Sequence, residues 1–299
     1  MQATQLDLND NILNYSKLIW EGRIFQSDID SWLSNFKDNP AVDERLMALE
    51  LLNAFIFYNE KEIKYLCKNV YNEFKQSVIH DLVKSGLSIH ESEKIFSQNI
   101  DEIRFAHVGR PSESGCFILY YFRQENEIPV DLFIERWEQI NNTIKYLVLV
   151  DDFLGTGDTI DSFLGSNLYK DIKMKSPAIK IFYIPLIALQ EGYNFIHTKY
   201  PKLEVLCSQF FSNEYSVFSE KSYLYSAEEP EMRRLKKEVC RTYGNNLETK
   251  DWELGFNESQ VLIGFHHNVP DNTLPVIWSE KNGWFPIFHR KTKKTKYLG

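Results

Sequence analysis

An apolar run that ends in two acids is the part of this sequence best suited to chemistry. Residues 146–150 read Tyr-Leu-Val-Leu-Val, and Asp151 and Asp152 follow directly. Such a run is typical of a strand buried on both faces, and open α/β folds bind ligands at the carboxyl ends of these strands. We therefore expect both carboxylates at that edge, where they can accept hydrogen bonds from sugar hydroxyls or hold Mg²⁺ through water.

The residues after the acids form a Gly/Thr loop. They are Gly155, Thr156, Gly157, Asp158 and Thr159, followed by the helical pattern of Ile160, Phe163 and Leu164. Free backbone N–H groups, two hydroxyls and the dipole of the following helix would point at a bound phosphate. The segment thus predicts a phosphosugar site. The alternative is a buried strand and a helix cap without a ligand, because Asp and Thr are good caps.

At these residues the chain resembles the type I phosphoribosyltransferases. Their signature is an apolar strand, two acids, three variable residues and a Thr-Gly-x-Thr or similar loop. The resemblance implies that Asp151 and Asp152 contact the ribose hydroxyls of phosphoribosyl pyrophosphate, while residues 156–159 hold its 5-phosphate. Asp158 departs from the usual Gly or basic residue, and it places a negative charge beside a dianion unless its side chain turns outward.

Two strand-like runs precede this segment, Ile103–Val108 and Phe117–Phe122, and the turn-forming residues 109–115 join them. We interpret the pair as a hairpin. The resemblance implies that its tip is the mobile loop of the family, with Arg110 facing pyrophosphate. The alternative for Arg110 is an exposed turn residue, because Gly-Arg-Pro is also an ordinary turn sequence. No separate pyrophosphate loop is recognisable before residue 102.

A second polar patch lies near the C-terminus, where a strand, a turn and another apolar run follow one another. The turn contains His266, His267, Asn268 and Asn272. These groups form a candidate acceptor site, since they can contact a base edge or move a proton near neutral pH. The alternative is a turn stabilised by its own Asn and Asp side chains. Adjacent histidines of a strand point to opposite faces, so they cannot chelate one metal ion together.

Composition and charge narrow the class of protein. The 299 residues are 43% hydrophobic, which suits a globular protein with an α/β core and an accessory domain. We expect a cytosolic protein without a membrane span, because there is no apolar run of ~20 residues and no signal-like N-terminus. The four cysteines have no CxxC spacing. The net charge is −8, and five basic residues lie between Arg290 and Lys296, so residues 1–289 alone carry −13. Because of this negative charge, residues 1–289 should repel nucleic acid.

The order of patterns predicts three segments. Residues 1–100 read as helices, with Ser27 capping one of them and Trp20 and Trp32 as core residues; residues 101–240 read as alternating strands and helices; residues 241–299 read as an extension with strands and a basic tail. In the middle segment we expect a helix around Val130–Trp137 and parallel strands at 146–150, 180–189 and 203–207. The predicted fold is α/β, a doubly wound, mostly parallel sheet like that of the type I phosphoribosyltransferases.

The whole layout resembles a narrower group, the phosphoribosyltransferase-like effectors of bacterial conflict systems. The resemblance rests on Gly109–Gly115, Val150–Gly157, His267–Trp278 and Trp284–Arg290. It implies an anti-phage toxin or sensor kept silent by a partner, such as a retron reverse transcriptase with its RNA–DNA hybrid. Two functions stay open: a Mg²⁺-dependent transferase acting on phosphoribosyl pyrophosphate, and a sensor that binds a phosphosugar or nucleotide without turnover.

Overall fold

The computed structural model describes residues 4–109, 114–134, 137–165, 168–248 and 250–291. Its contacts group the chain into a central unit, Lys61–Phe211, and a terminal unit made of Met1–Glu60 and Ser212–Gly299. These units cut across the three consecutive segments expected from the sequence, because the first helices share a hydrophobic core with the C-terminal part of the chain.

The regular elements have the following bounds. The α-helices are α1 Gln5–Leu18, α2 Gln26–Leu33, α3 Glu44–Asn53, α4 Glu60–Lys84, α5 Ile89–Gln98, α6 Ser114–Glu125, α7 Asp158–Gly165, α8 Leu168–Lys175, α9 Gln190–Lys199, α10 Pro230–Leu247 and α11 Pro275–Trp278. The strands are β1 Ile56–Tyr58, β2 Ile103–His107, β3 Tyr146–Leu154, β4 Lys180–Leu189, β5 Leu203–Val205, β6 Gln209–Phe211 and β7 Ile263–Phe265.

The central unit contains a parallel sheet in the order β2-β3-β4-β5, with β6 also paired to β4. Apolar side chains cover both faces of this sheet. Leu149 and Tyr183 share one buried cluster with Ile160 of α7 and Ile196 of α9. On the other face, ring contacts join Phe182 of β4 to Phe74 of α4. Helices on both faces of a parallel sheet make a doubly wound α/β fold, so the predicted fold class is confirmed.

Pro185 interrupts the hydrogen bonds along the edge of β4 that faces away from β3. On this edge the N–H of Leu206 donates to the carbonyl of Tyr183, and the N–H of Ser208 donates to the carbonyl of Leu186. The two accepting residues of β4 are three positions apart, whereas a regular strand spaces them by two. A proline has no N–H for a ladder hydrogen bond and is found at such breaks. This break separates β5 from β6, and the predicted strand at 203–207 is correspondingly short.

Two predicted elements in the central unit are wrong. The run Phe117–Phe122 is part of helix α6, not the second strand of a hairpin. Its buried residues Ile118, Tyr121 and Phe122 have the spacing of one helical face. Aromatic residues also occupy the exposed face, so the sequence reads as an unbroken apolar run without a helical hydrophobic period. The helix expected around Val130–Trp137 is replaced, in the residues described there, by two short 3₁₀ turns, Val130–Leu132 and Trp137–Gln139.

The terminal unit is built around aromatic side chains. Trp20 and Trp32 are both buried, as predicted, and the indole N–H of Trp32 donates to the carbonyl of Val276 at 2.7 Å. Strands β1 and β7 pair in parallel, although about two hundred residues separate them. Helix α2 begins at Gln26, with Phe25 as the residue before its first turn, so the predicted cap at Ser27 is wrong.

No helix in the described part of the chain is both long and apolar enough to cross a membrane.

Candidate functional site

The acid pair lies inside β3, not just beyond it. The strand continues through Asp151 and Asp152 to Leu154. Asp151 is only 5% exposed, whereas Asp152 is partly accessible. The expectation that both carboxylates emerge where burial ends is therefore wrong for Asp151. Successive residues of a strand face opposite sides of the sheet, so burial of one acid and partial exposure of the next follows from the pleat.

Two donors hold the Asp151 carboxyl group. The Tyr183 hydroxyl donates to Oδ2 at 2.9 Å, and the backbone N–H of Asp152 donates to Oδ1 at 3.0 Å. Burial first, and then the neighbouring Asp152 carboxylate, raises the pKa of Asp151 well above its ordinary value. The hydrogen bond from Tyr183 offsets part of this shift. Asp151 therefore favours the protonated form more than an exposed aspartate does, and Asp152 is the carboxylate better placed for a ligand.

The loop after β3 turns into α7 as the sequence predicts. Gly155, Thr156 and Gly157 connect the two elements, and the first helical bond joins the N–H of Asp161 to the carbonyl of Gly157 at 2.9 Å. Gly157 has φ +97°, a conformation that favours glycine. An α-helix leaves the N–H groups of its first turn without intrahelical partners, so donors are available beside this loop.

The acids of α7 differ in their surroundings. Asp158 and Thr159 are exposed at the first turn. Asp161 accepts hydrogen bonds from Lys199 Nζ and from the Tyr200 hydroxyl, each at 2.8 Å. The Lys199 hydrogen bond is the main cause of the lowered pKa of Asp161. An anion bound at this helix end would meet one acid neutralised by a lysine and one exposed acid.

The strand β2 ends beside β3, at the same edge of the sheet. His107, its last residue, lies in register with Val150, and Gly109 follows with φ +91°. Arg110 falls outside the described residues. Because Phe117–Phe122 belongs to helix α6, it cannot be the second strand of the expected hairpin.

The four candidate acceptor residues lie in the terminal unit but not all in one place. His266, His267 and Asn268 directly follow β7, whereas Asn272 lies beside Ser259 and Val261, ahead of the start of β7. The N–H of His266 donates to the carbonyl of Tyr58, and the His267 ring stacks on Phe265. Burial, followed by the His267 imidazole, lowers the pKa of His266. The side chains of Asn268 and Asn272 both bond within the protein, to Lys291 N–H and to the Ser259 hydroxyl respectively.

Sequence reasoning missed Tyr183 and Gly192. Tyr183 sits in the apolar run of β4, and a tyrosine there needs a partner for its hydroxyl, which could have pointed to Asp151. Gly192 lies in the first turn of α9, and no local pattern marks its closeness to the loop.

The chain is similar to one described protein family and to several solved structures. The model of the PRTase-CE family matches residues 29–290. Among solved structures, the AQ2163 protein from Aquifex aeolicus is 16% identical, with 64% of this chain and 86% of that chain covered and a TM-score of 0.30. The Helicobacter pylori xanthine-guanine-hypoxanthine phosphoribosyltransferase is 12% identical, with 52% and 84% covered and a TM-score of 0.26. No curated protein matches the chain. Since the family model spans most of the sequence, the chain belongs to the PRTase-CE family.

Proposed function

We propose that this protein binds phosphoribosyl pyrophosphate at the carboxyl end of β3 and transfers its ribosyl phosphate to an acceptor. One observation carries the proposal: the partly exposed Asp152 lies near the carboxyl end of a buried parallel strand, and a glycine loop and the start of α7 follow that strand. A three-residue loop thereby connects the strand whose carboxylate can accept hydrogen bonds from ribose hydroxyls to the helix N-terminus that can bind a phosphate.

The roles follow from the chemistry of the ligand. The Asp152 carboxylate accepts hydrogen bonds from the ribose hydroxyls, and the backbone and hydroxyl groups of residues 156–159 bind the 5-phosphate. Asp151 supports Asp152 from within the strand, held by Tyr183. The connection after β2, with Arg110, is assigned to pyrophosphate. No separate pyrophosphate loop is recognisable before residue 102, so Arg110 stays the proposed pyrophosphate contact.

In the proposed reaction a nucleophilic atom of the acceptor forms a bond to C1 of the ribose. The bond between C1 and the pyrophosphate oxygen breaks, and pyrophosphate leaves with the electron pair. The acceptor gives up its proton to solvent or to a base. Positive charge develops on the ribose ring as the bonds exchange, and a nearby carboxylate favours that charge. The acceptor is a nucleobase, a nucleotide or a macromolecule, with His266, His267, Asn268 and Asn272 as candidate contacts.

Magnesium is part of the proposal. Mg²⁺ usually keeps several waters and takes one or two carboxylates together with substrate phosphates. Asp152 fits such water-mediated contact, whereas Asp151 is buried and its pKa is raised, so it fits poorly. When bound, the ion supplies positive charge that stabilises the departing pyrophosphate.

The direct test is pyrophosphate release. Purified protein is incubated with phosphoribosyl pyrophosphate, Mg²⁺ and a cell extract as a source of acceptors. We expect release that Asp152→Asn abolishes and that Asp171→Asn, which removes an exposed acid of α8, leaves unchanged. Equal release by the wild type and Asp152→Asn would overturn the transferase proposal.

A second candidate function is a sensor that binds the phosphosugar or a nucleotide without turnover. Two observations favour it: Asp151 is buried with a raised pKa, and Asp158 brings an exposed negative charge to the start of α7. A sensor would bind the ligand in titrations and release no pyrophosphate with any extract.

The biological context is proposed from the resemblance to conflict-system effectors. In that context the protein is a toxin or sensor of anti-phage defence, silenced by a retron reverse transcriptase and its RNA–DNA hybrid. Expression of the chain alone should then arrest growth, and co-expression of the reverse transcriptase and its RNA should restore growth. Growth unaffected by the chain alone would count against a toxin.

A further inference from the structure

Helix α9 lies against the Gly/Thr loop through one face. Gly192, Phe195 and Ile196 are spaced three and four residues apart, so they share that face. Because α9 starts directly after β4, the neighbour of β3 in the sheet, its position is fixed relative to the strand that carries the acids.

The closest approach is between Gly192 and the first residue of the loop. A Cβ atom added at Gly192 would lie 2.2 Å from the carbonyl oxygen of Gly155 and 3.0 Å from its carbonyl carbon. Both atoms belong to the backbone, so a side chain at 192 cannot be accommodated by a rotamer change. Either the loop or the helix must move.

The same helix face also contacts the turn into α7. A Cβ at Gly157 would lie 2.7 Å from Cδ1 of Phe195 and 3.2 Å from Cγ1 of Ile196. Gly157 therefore serves two purposes, since its φ of +97° makes the turn and its missing side chain lets the turn pack on α9.

Hydrogen bonds join the C-terminal end of α9 to α7, the helix that follows the loop. Lys199 and Tyr200 both bond to the Asp161 carboxylate, which belongs to the first turn of α7. The start of α9 thus packs on the loop at Gly192, and the residues at its other end bond to the helix that follows the loop.

We propose that α9 is the platform that sets the phosphate-binding conformation of the loop, and that Gly192 is a positioning residue for the 5-phosphate. The inference rests on the proposed function, because it concerns the same site. It adds that the loop cannot hold its shape independently of β4 and α9, and that a residue without contact to ligand determines the affinity.

The test compares Gly192→Ala with Gly165→Ala. Gly165 is also helical, but nothing lies within 4 Å of an added Cβ, so this control adds the same methyl group without a clash. Ribose 5-phosphate is the probe for the loop, and inorganic pyrophosphate with Mg²⁺ is a probe that does not need it. Both are titrated by calorimetry against the full chain.

We expect Gly192→Ala to raise the Kd for ribose 5-phosphate ~10-fold or more, because small misplacements of a binding group are costly. The Kd for pyrophosphate should change less than ~2-fold, and Gly165→Ala should match the wild type. An equal loss for both probes indicates general damage and contradicts the positioning role. Unchanged binding of ribose 5-phosphate overturns it as well.

A second variant covers the case in which Gly192→Ala does not fold. Phe195→Ala removes support from Gly157 without any clash, and Phe195 is already 37% exposed. It should weaken ribose 5-phosphate binding ~3-fold or more and leave pyrophosphate binding unchanged; equal affinities would contradict the role of α9. If the wild type itself does not bind ribose 5-phosphate, the proposed function fails first, and that outcome is distinct from unchanged binding in the variants.

Discussion

The end of β3 and the first turn of α7 both carry acids, in opposite surroundings. Asp151 is buried and its pKa is raised, whereas Asp161 pairs with Lys199 and its pKa is lowered. An acid in the first turn of a helix stabilises the fold, but a buried carboxylate with a raised pKa destabilises it at neutral pH. The α7 acids are explained by stability alone. The β3 acids are not, and this difference points to function at the strand end.

The largest expected effect tests the strand acids together. Asp151→Asn combined with Asp152→Asn should weaken phosphosugar binding at least ~100-fold, because charge-assisted hydrogen bonds to the ribose hydroxyls are lost. The fold should survive, since asparagine has nearly the same shape and can still accept from Tyr183. Calorimetry and circular dichroism measure the two properties. Full phosphosugar binding by a folded double mutant would contradict a functional role for the β3 acids.

Gly157 tests the loop between the two sets of acids. Gly157→Val should lower the free energy of unfolding by ~2–4 kcal/mol, because it combines backbone strain with a clash against Phe195. Gly22→Val is the matched control, with φ +70° and no atom within 4 Å of its Cβ, so it carries strain only. Equal losses of stability would mean that packing on α9 contributes nothing. Phosphosugar binding should also vanish in Gly157→Val, because the displaced loop no longer presents its backbone to the phosphate.

The pH dependence of stability separates Asp151 from Asp161. For Asp151 the folded pKa is raised, so the native state binds more protons and stability falls as pH rises from ~4 through that folded pKa. Asp151→Asn should remove this fall and stabilise the protein at pH 7 by on the order of 1 kcal/mol. For Asp161 the folded pKa is lowered, so its contribution is present above pH ~4 and is lost on acidification.

Asp161→Asn should therefore cost a few tenths to ~1 kcal/mol at pH 7 and little at pH 2, in keeping with a partly exposed ion pair. Urea denaturation at several pH values measures both variants. If both mutations changed stability with the same sign at pH 7, the contrast between strand acids and helix acids would be wrong.

The smallest expected effect concerns Asp158. Its side chain is exposed at the first turn of α7, and we expect it to point away from the phosphate. Asp158→Gly should then change phosphosugar affinity less than ~2-fold and cost up to ~1 kcal/mol of stability, because an acid at a helix N-terminus is lost. A gain of about fivefold in affinity would show that the carboxylate faces the phosphate and repels it.

The comparison also shows what local sequence can predict. The strand predicted at 146–150, the loop and the start of α7 follow one another in the chain, and each has a strong local pattern, so their order was predictable. The burial of Asp151 was not, because it depends on Tyr183 from the neighbouring strand and on how far β3 extends beyond Val150.

Contacts over long sequence separations account for the other differences. The pairing of β1 with β7 joins two three-residue strands about two hundred residues apart, so local sequence predicts a strand before His266 but cannot identify its partner. The run Phe117–Phe122 has aromatic residues on its exposed face, so the spacing of its apolar residues could not distinguish a strand from a helix. Gly192 has meaning only through the carbonyl of Gly155, which local sequence cannot place.

The central claim is that Asp152 and the following loop bind a phosphosugar, and a calorimetric titration with phosphoribosyl pyrophosphate and Mg²⁺ tests it most directly. The wild type should bind with a stoichiometry of one, Asp152→Asn should lose this binding, and Asp171→Asn should retain it. Absence of binding by the folded wild type, or equal affinity in the wild type and Asp152→Asn, would contradict the account.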